Sequence, residues 1–284
     1  MVFACALLAD APSFYARIVT WTRYVAIGDS FTEGMVDEVG PDGRYIGWAD
    51  RVAAHLTVRE PALRYANLAI RGKLLPEIVD EQVPDAISMR PDLVSIAGGV
   101  NDAMRRGFDL DRTATRLEDA VRSLRGSGAD VLMVAFGDPG RRSRVFGAMR
   151  DRLRALNSAT RAIANTHGCF LVDFWGAAVF DPDDMWGEDR LHLSPEGHIR
   201  AAQAALEALG MGSDDWRVPG LWTRNQPIAA SREHLAWFGR HGAPWLVRRL
   251  RGQSSGAGIT AKRPALSPID PQDIDGGSGP HRVG

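Results

Sequence analysis

Short apolar segments alternate with amphipathic helical patterns along most of this sequence, and this alternation constrains the fold more than any other feature. Each apolar segment has the length of a buried strand, and the intervening segments place apolar residues every three or four positions, as a helix with one buried face does. The predicted strands are 23–27, 63–68, 92–97, 130–136 and 169–174, and the predicted helices are 48–56, 78–88, 113–124 and 146–164. Strands this apolar, separated by helices, predict a parallel sheet that is covered on both faces.

The expected fold is therefore α/β: a three-layer α/β/α arrangement around a flavodoxin-like, doubly wound parallel sheet of about five strands. Ligands of such sheets bind at the carboxyl ends of the strands. Polar and glycine-rich segments follow the predicted strands at these ends, namely GDS, RG, GGVND and GDPG. We therefore expect the functional site along this edge of the sheet.

The sequence divides into a main domain and three flanking regions. The main domain is expected at 23–210, after an N-terminal extension at 1–22. A Trp-rich helical arm at 211–250 is expected to pack on the domain. The last region, 251–284, is rich in Gly, Ser and Pro and has few large apolar residues. Such a composition buries too little surface to offset the entropy of ordering, so the sequence predicts a disordered tail.

Charge and composition argue against several classes of function. The formal net charge of -1 leaves no excess of Lys and Arg for a phosphate backbone, so a nucleic-acid partner is not expected. Apolar residues nowhere extend over the roughly 18 positions that a membrane-spanning helix needs. The two cysteines, Cys5 and Cys169, are too few for a disulfide framework or a thiolate metal site.

The N-terminal extension and the Trp-rich arm bear on localisation. The extension has a brief apolar stretch with Ala9 and Ala11 as in a secretory cleavage site, but no Lys or Arg precedes that stretch. We therefore expect a cytoplasmic protein, with secretion as the alternative. The arm is basic and aromatic, which suits peripheral contact with a membrane surface. Packing of its Trp side chains against the main domain is the interpretation that we prefer.

Ser30 stands directly after the first predicted strand, in the segment YVAIGDSFTEG. A serine at this position can cap the following helix, or it can be a nucleophile presented at a strand end. A serine hydroxyl is a weak nucleophile near neutral pH and needs a base, usually an imidazole that a carboxylate orients. The choice between the two roles depends on whether such a pair occurs elsewhere in the sequence.

The segment DRLHLSPEGH supplies the candidates for the base. Asp189 precedes His192 by three residues, in the loop before a last predicted helix that begins at Ser194–Pro195 and runs to about Leu209. In a loop, this spacing lets the carboxylate reach one ring nitrogen while the other nitrogen faces outward. His198 is the alternative, but it falls in the first turn of the helix and has no Asp at a comparable spacing. His192 is therefore the predicted base.

An acyl-transfer site also needs hydrogen-bond donors for the developing oxyanion. Gly72, at the end of NLAIRG, offers a backbone N–H that a ligand can approach closely, and Asn101, in GGVND, offers a side-chain amide. Each has a purely structural interpretation, because Gly72 can simply end a strand and Asn101 can cap a helix. Their occurrence at successive strand ends, in one order with Ser30 and His192, favours the catalytic interpretation.

The segments GDSFTEG, NLAIRG, GGVND and DRLHLS resemble four ordered blocks of the SGNH, or GDSL-type, hydrolase family. The resemblance implies that Ser30 is the nucleophile and that Asp189 and His192 complete a catalytic triad. It also implies that Gly72 and Asn101 join the Ser30 backbone N–H in an oxyanion hole. Each block alone is weakly specific, but the set in this order is specific.

The resemblance extends over about residues 23–209 and departs from the family name at Phe31, where the name has Leu. It implies a serine acylhydrolase, esterase- or lipase-like, that cleaves a small-molecule acyl ester through an acyl-enzyme and requires no metal or cofactor. An acyltransferase or a carbohydrate O-deacetylase could use the same site. A non-catalytic binding protein fits less well, because all the catalytic residues are present.

Overall fold

A computed structural model describes residues 20–141, 147–212, 215–218, 256 and 258–275. The strands are β1 (Arg23–Gly28), β2 (Arg64–Asn67), β3 (Leu93–Ala97), β4 (Asp130–Ala135), β5 (Phe170–Asp173) and β6 (Arg263–Ser267). They form one six-stranded sheet in the order β5-β4-β3-β1-β2-β6. The central position of β1 decides where the residues that follow it emerge.

Helices cover both faces of this sheet. They are α1 (Ser30–Glu33), α2 (Trp48–Arg59), α3 (Leu75–Glu77), α4 (Val83–Ser88), α5 (Val100–Ala103), α6 (Leu110–Gly126), α7 (Arg150–Thr166), α8 (Pro195–Ala208) and α9 (Pro271–Asp275). A π-helical turn, Ile78–Gln82, joins α3 to α4, and 3₁₀ turns occupy Pro139–Arg141, Ala178–Phe180 and Asp183–Met185. Within the described residues, no helix is both long and apolar enough to cross a membrane.

The strands β1 to β5 are parallel, as the alternating sequence pattern predicts. Their order, with β1 between β2 and β3 and then β4 and β5, is the flavodoxin-like order. The helices α2 and α8 pack on one face, and α4, α6 and α7 pack on the other. The predicted three-layer α/β/α fold is therefore confirmed.

Alternate side chains of β1 enter the two cores on opposite faces of the sheet. Tyr24 packs in the core beneath α2 and α8, whereas Val25 and Ile27 pack in the core beneath α4 and α6. The buried hydroxyl of Tyr24 lies 2.8 Å from the Ser95 hydroxyl of β3, so its polar atom has a partner. Packing on both faces thus fixes β1 and the position of its carboxyl end.

Strand β6 is the main departure from the sequence prediction. Residues 258–275 belong to the region predicted as a disordered tail, but they contain β6, antiparallel to β2, and α9. Two isoleucines in this segment, Ile269 and Ile274, are buried in the core that also contains α2. The prediction is wrong for these residues because it is based on the composition of the whole tail. That composition does not show that these two isoleucines can reach the core. The sheet consequently has a sixth, antiparallel strand.

A buried ion pair connects this C-terminal segment to α2 of the main domain. Lys262 is 7% exposed and pairs with Asp50 of α2. The Lys262 ammonium also donates to the carbonyl oxygens of Tyr45, at 2.8 Å, and Ile46. Burial raises the pKa of Asp50 to about 6, although the charge of Lys262 opposes this shift. The ammonium therefore supplies the compensation that a buried carboxylate needs.

The other two flanking regions are described only in part. In the N-terminal extension, 1–22, Trp21 is buried in the main core. In the predicted arm, 211–250, Trp216 packs edge-on against Phe174, with 5.9 Å between the ring centroids. The rest of the arm and residues 1–19 of the extension lie outside the described residues.

We expect Lys262→Met to lower the free energy of unfolding by about 3 kcal/mol, because the buried Asp50 carboxylate would lose its nearest and most buried partner. Arg263→Met is the matched control. Arg263 lies 3.8 Å from the same carboxylate, but its side chain is 23% exposed, so its loss should cost less than about 1 kcal/mol. Urea-induced unfolding followed by circular dichroism measures both losses. Equal losses in the two variants would contradict the prediction.

Candidate active site

Four chain segments meet at the carboxyl edge of the parallel strands. Ser30 begins α1 directly after β1, Gly72 follows β2, and Asn101 lies in α5 after β3. The loop that leads into α8 brings Asp189 and His192 to the same edge, where His192 contacts Ser30. The structure thus gathers at one edge the residues that the sequence predicts for the site.

Ser30, His192 and Asp189 form a hydrogen-bonded row. Ser30 Oγ lies 3.0 Å from His192 Nε2, and His192 Nδ1 lies 2.6 Å from Asp189 Oδ2. A carboxylate at Nδ1 favours the ring form that carries its proton there, which leaves Nε2 free to accept from the serine hydroxyl. This geometry allows the hydroxyl proton to pass to the ring.

The loop around Asp189 holds its carboxylate in the charged form. Asp189 Oδ1 accepts the backbone N–H groups of Leu191 and His192, each at 3.0 Å. Burial acts to raise the pKa of Asp189, but the hydrogen bond and charge of His192, together with these two N–H groups, lower it to about 2. The carboxylate is therefore ionised near neutral pH and can stabilise a charged imidazole.

Asp29, not Ser30, caps the first helix. Its backbone is extended, and its Oδ1 accepts the backbone N–H of Phe31 at 3.1 Å. The helix-capping interpretation considered for Ser30 therefore applies to the residue before it. The Ser30 hydroxyl instead contacts His192.

The buried side chain of Asn101 is oriented by two acceptors. Its amide nitrogen donates to Asp29 Oδ2 at 2.9 Å and to the backbone carbonyl of Lys73 at 3.0 Å. These contacts connect the ends of β1, β2 and β3 at the site. Because an amide has two N–H donors, a substrate oxygen that accepts from Asn101 must replace one of these acceptors.

The backbone at Gly72 is fixed by its own conformation and by its neighbour Arg71. The φ of Gly72 is 78°, in the left-handed region that favours glycine. The preceding residue, Arg71, donates its backbone N–H to Glu33 Oε2 at 2.6 Å, and its guanidinium pairs with the same carboxylate. Sequence reasoning missed this pair. The available signal was an acidic residue in the Ser30 segment and an arginine immediately before Gly72.

His198, the alternative base, has a structural contact instead. Its Nε2 lies 3.2 Å from the backbone carbonyl of Met35, and its ring lies 6.5 Å from that of Phe31. It is 1% exposed, and burial lowers its pKa to about 4. The ring is therefore neutral near pH 7 and supports the turn after α1. The choice of His192 over His198 agrees with these contacts.

Among the described residues, no group of three or more His, Cys, Asp or Glu side chains is placed to hold a metal ion. Cys169 is a free thiol that packs against the core beneath α4 and α6. Burial raises the pKa of this thiol, so it is not activated as a nucleophile.

The protein has an α/β hydrolase-like fold, and the candidate residues converge at the carboxyl edge of its sheet. The model of the GDSL-like lipase/acylhydrolase family matches residues 26–200, which include every candidate site residue and more than half of the chain. The chain belongs to this family and is a carboxylic ester hydrolase. The family resemblance of the four sequence blocks is therefore confirmed.

Solved structures share this fold. LAE5, an α/β hydrolase enzyme from the metagenome of Lake Arreo, is 27% identical with a TM-score of 0.57, over 68% of this chain and 97% of its own. Axe2, an acetylxylan esterase from Geobacillus stearothermophilus, is 22% identical with a TM-score of 0.57, over 72% of this chain and 97% of its own. A putative GDSL-like lipase from Parabacteroides merdae is 17% identical with a TM-score of 0.55, over 67% and 96%. Comparison with curated proteins gave no match.

We expect His198 to make the folded protein sensitive to acid. The unfolded chain takes up a proton at this residue below about pH 6.5, whereas the folded protein does so only near pH 4. The free energy of unfolding should therefore fall as the pH falls between these values. His198→Gln keeps a nitrogen that can donate to the Met35 carbonyl but does not titrate.

The wild type should thus lose about 2 kcal/mol more than His198→Gln between pH 7 and pH 5. Urea-induced unfolding at the two pH values measures this difference. A loss of the same size in both proteins would show that His198 is not the source.

Proposed function

We propose that this ester hydrolase is a serine acylhydrolase that works through an acyl-enzyme on Ser30. The observation that carries the proposal is the 3.0 Å contact between Ser30 Oγ and His192 Nε2. Asp189 holds the other ring nitrogen of the same imidazole at 2.6 Å. A serine, an imidazole and a carboxylate connected in this order are the groups that serine acyl transfer needs.

In the first half of the reaction, Ser30 Oγ attacks the ester carbonyl while His192 Nε2 takes the hydroxyl proton. The charge of Asp189 stabilises the imidazolium that forms. When the tetrahedral intermediate collapses, the C–O bond to the alcohol breaks and the imidazolium gives its proton to the leaving alcohol. In the second half, His192 takes a proton from water, which attacks the acyl group, and Ser30 recovers its proton as the acid leaves.

The oxyanion of each tetrahedral intermediate would accept hydrogen bonds from the backbone N–H groups of Ser30 and Gly72 and from the Asn101 amide. Removing one such donor typically costs about a hundred- to a thousandfold in kcat. The Asn101 amide would exchange its bond to the Lys73 carbonyl for one to the oxyanion. The buried Asp29 carboxylate would keep the amide oriented during this exchange.

An acyltransferase and a carbohydrate O-deacetylase would use the same acyl-Ser30. A deacetylase differs in the alcohol that leaves, and a transferase differs in the acceptor that discharges the acyl group. Product analysis with and without an added alcohol separates transfer from hydrolysis. Free acid as the main product in both cases supports the hydrolase.

Ser30→Ala should reduce kcat for p-nitrophenyl acetate by at least about a thousandfold, because the acyl-enzyme could not form. Far-ultraviolet circular dichroism and the thermal midpoint should stay close to those of the wild type. A fluorophosphonate should label wild-type protein at Ser30, as located by peptide mass spectrometry. Wild-type turnover in the variant, or an adduct on a different residue, would overturn the proposal.

His192→Ala should lower kcat/KM by about the same factor as Ser30→Ala, since each removes one member of a unit that acts together. His198→Gln is the matched control, because it changes a buried histidine of the same region whose Nε2 contacts the Met35 carbonyl and not Ser30. Its kcat/KM should stay within about tenfold of the wild type. Steady-state assays at pH 7.5 compare kcat/KM of the two variants. A larger loss in His198→Gln than in His192→Ala would show that His192 is not the base.

A further inference from the structure

Val36 adopts a backbone conformation that its residue type disfavours. Its φ is 73°, in the left-handed region, where a β-branched side chain is strained. Such residues persist where the surrounding structure fixes them, and they occur preferentially at functional sites. Val36 lies in the turn directly after the helix that begins with Ser30, and contacts of its two neighbours hold it there.

The residue before Val36 is tied to the nucleophile helix and to α8. The Met35 N–H donates to the carbonyl oxygen of Ser30 at 3.1 Å. The Met35 carbonyl in turn lies 3.2 Å from Nε2 of the buried His198. These two contacts fix the turn on its N-terminal side.

The residue after Val36 is tied to α2. The fully buried carboxylate of Asp37 pairs with the Arg51 guanidinium at 2.9 Å. It also accepts the backbone N–H of Gly47 at 2.8 Å. With both neighbours anchored, Val36 cannot relax its backbone without breaking one of these sets of contacts.

The side chain of Val36 fills the space beside Gly187. A Cβ atom added to Gly187 would lie 2.4 Å from Cγ1 and 3.3 Å from Cβ of Val36, which is too close for either to stay in place. Gly187 is not in the left-handed region, so its backbone alone does not require glycine. The requirement comes from the Val36 side chain.

Gly187 belongs to the loop that contains Asp189 and His192. Its N–H donates to the carbonyl oxygen of His192 at 2.9 Å, and its own carbonyl accepts the N–H of Arg190 at 2.9 Å. Asp189 lies within this bonded loop, and its Oδ1 would be 3.7 Å from a Cβ on Gly187. A displacement of Gly187 would therefore move both Asp189 and His192 relative to Ser30.

We propose that Val36 and Gly187 are a pair of positioning residues whose contact sets how closely the Asp189–His192 loop approaches Ser30. The anchored turn fixes the position of the Val36 side chain, and Gly187 of the loop packs against it. This proposal depends on the proposed roles of Ser30 and His192. A displacement of about 1 Å at such a site can reduce turnover by about a hundredfold, so the contact affects the rate rather than substrate binding.

The test is a double-mutant cycle on the two residues. Gly187→Ala should displace the loop and lower kcat by about ten- to a hundredfold with KM nearly unchanged. Val36→Gly should also lower kcat, because the loop loses its support. In the Val36→Gly/Gly187→Ala protein the new methyl group occupies the vacated space, so kcat should recover to above that of Gly187→Ala. The rate of fluorophosphonate labelling of Ser30 should follow kcat across the four proteins.

Arg90→Gly is the control for the backbone change. Arg90 also has a left-handed φ, of 52°, but it lies before β3, at the opposite edge of the sheet. The kcat of Arg90→Gly should equal that of the wild type. Wild-type kcat in Gly187→Ala, or a double variant no more active than Gly187→Ala, would overturn the positioning proposal. Turnover by Ser30→Ala would instead overturn the proposed function, so the two failures are distinct.

Discussion

The parallel pairing of β1 with β2 and β3 is the constraint on which the site depends. Both faces of β1 are buried, so its carboxyl end has a fixed position at the middle of the sheet edge. Parallel neighbours end at the same edge, and Gly72 and Asn101 therefore emerge on either side of Ser30. His192 joins them from the loop before α8, whose N-terminus is capped by the hydroxyl of Ser194.

The fold was predictable from the sequence because its strands and helices have regular apolar patterns. The strand predicted at 130–136 is Asp130–Ala135 in the structure, and the others agree about as closely. Strand β6 has no such pattern. Its segment is anchored by an ion pair between Lys262 and Asp50, 212 residues apart, which composition and periodicity do not reveal.

Within the site, prediction succeeded where spacing along the chain decides which groups meet. Asp189 and His192 are three residues apart in one loop, and Ser30 begins the helix that follows β1, so their contact follows from local sequence and fold together. The role of Val36 was not predictable, because a valine carries no local signal for a left-handed turn. Its conformation depends on anchors from α2 and α8, which only the folded chain brings together.

The antiparallel pairing of β6 with β2 also decides how the sheet ends on that side. The edge of a regular parallel strand presents unpaired N–H and C=O groups to which another chain can add. Here β6 covers β2, and β6 itself contains Pro264, which has no N–H to donate. Proline in an outer strand interrupts further pairing. The C-terminal segment thus replaces an edge open to self-association with one that limits growth of the sheet.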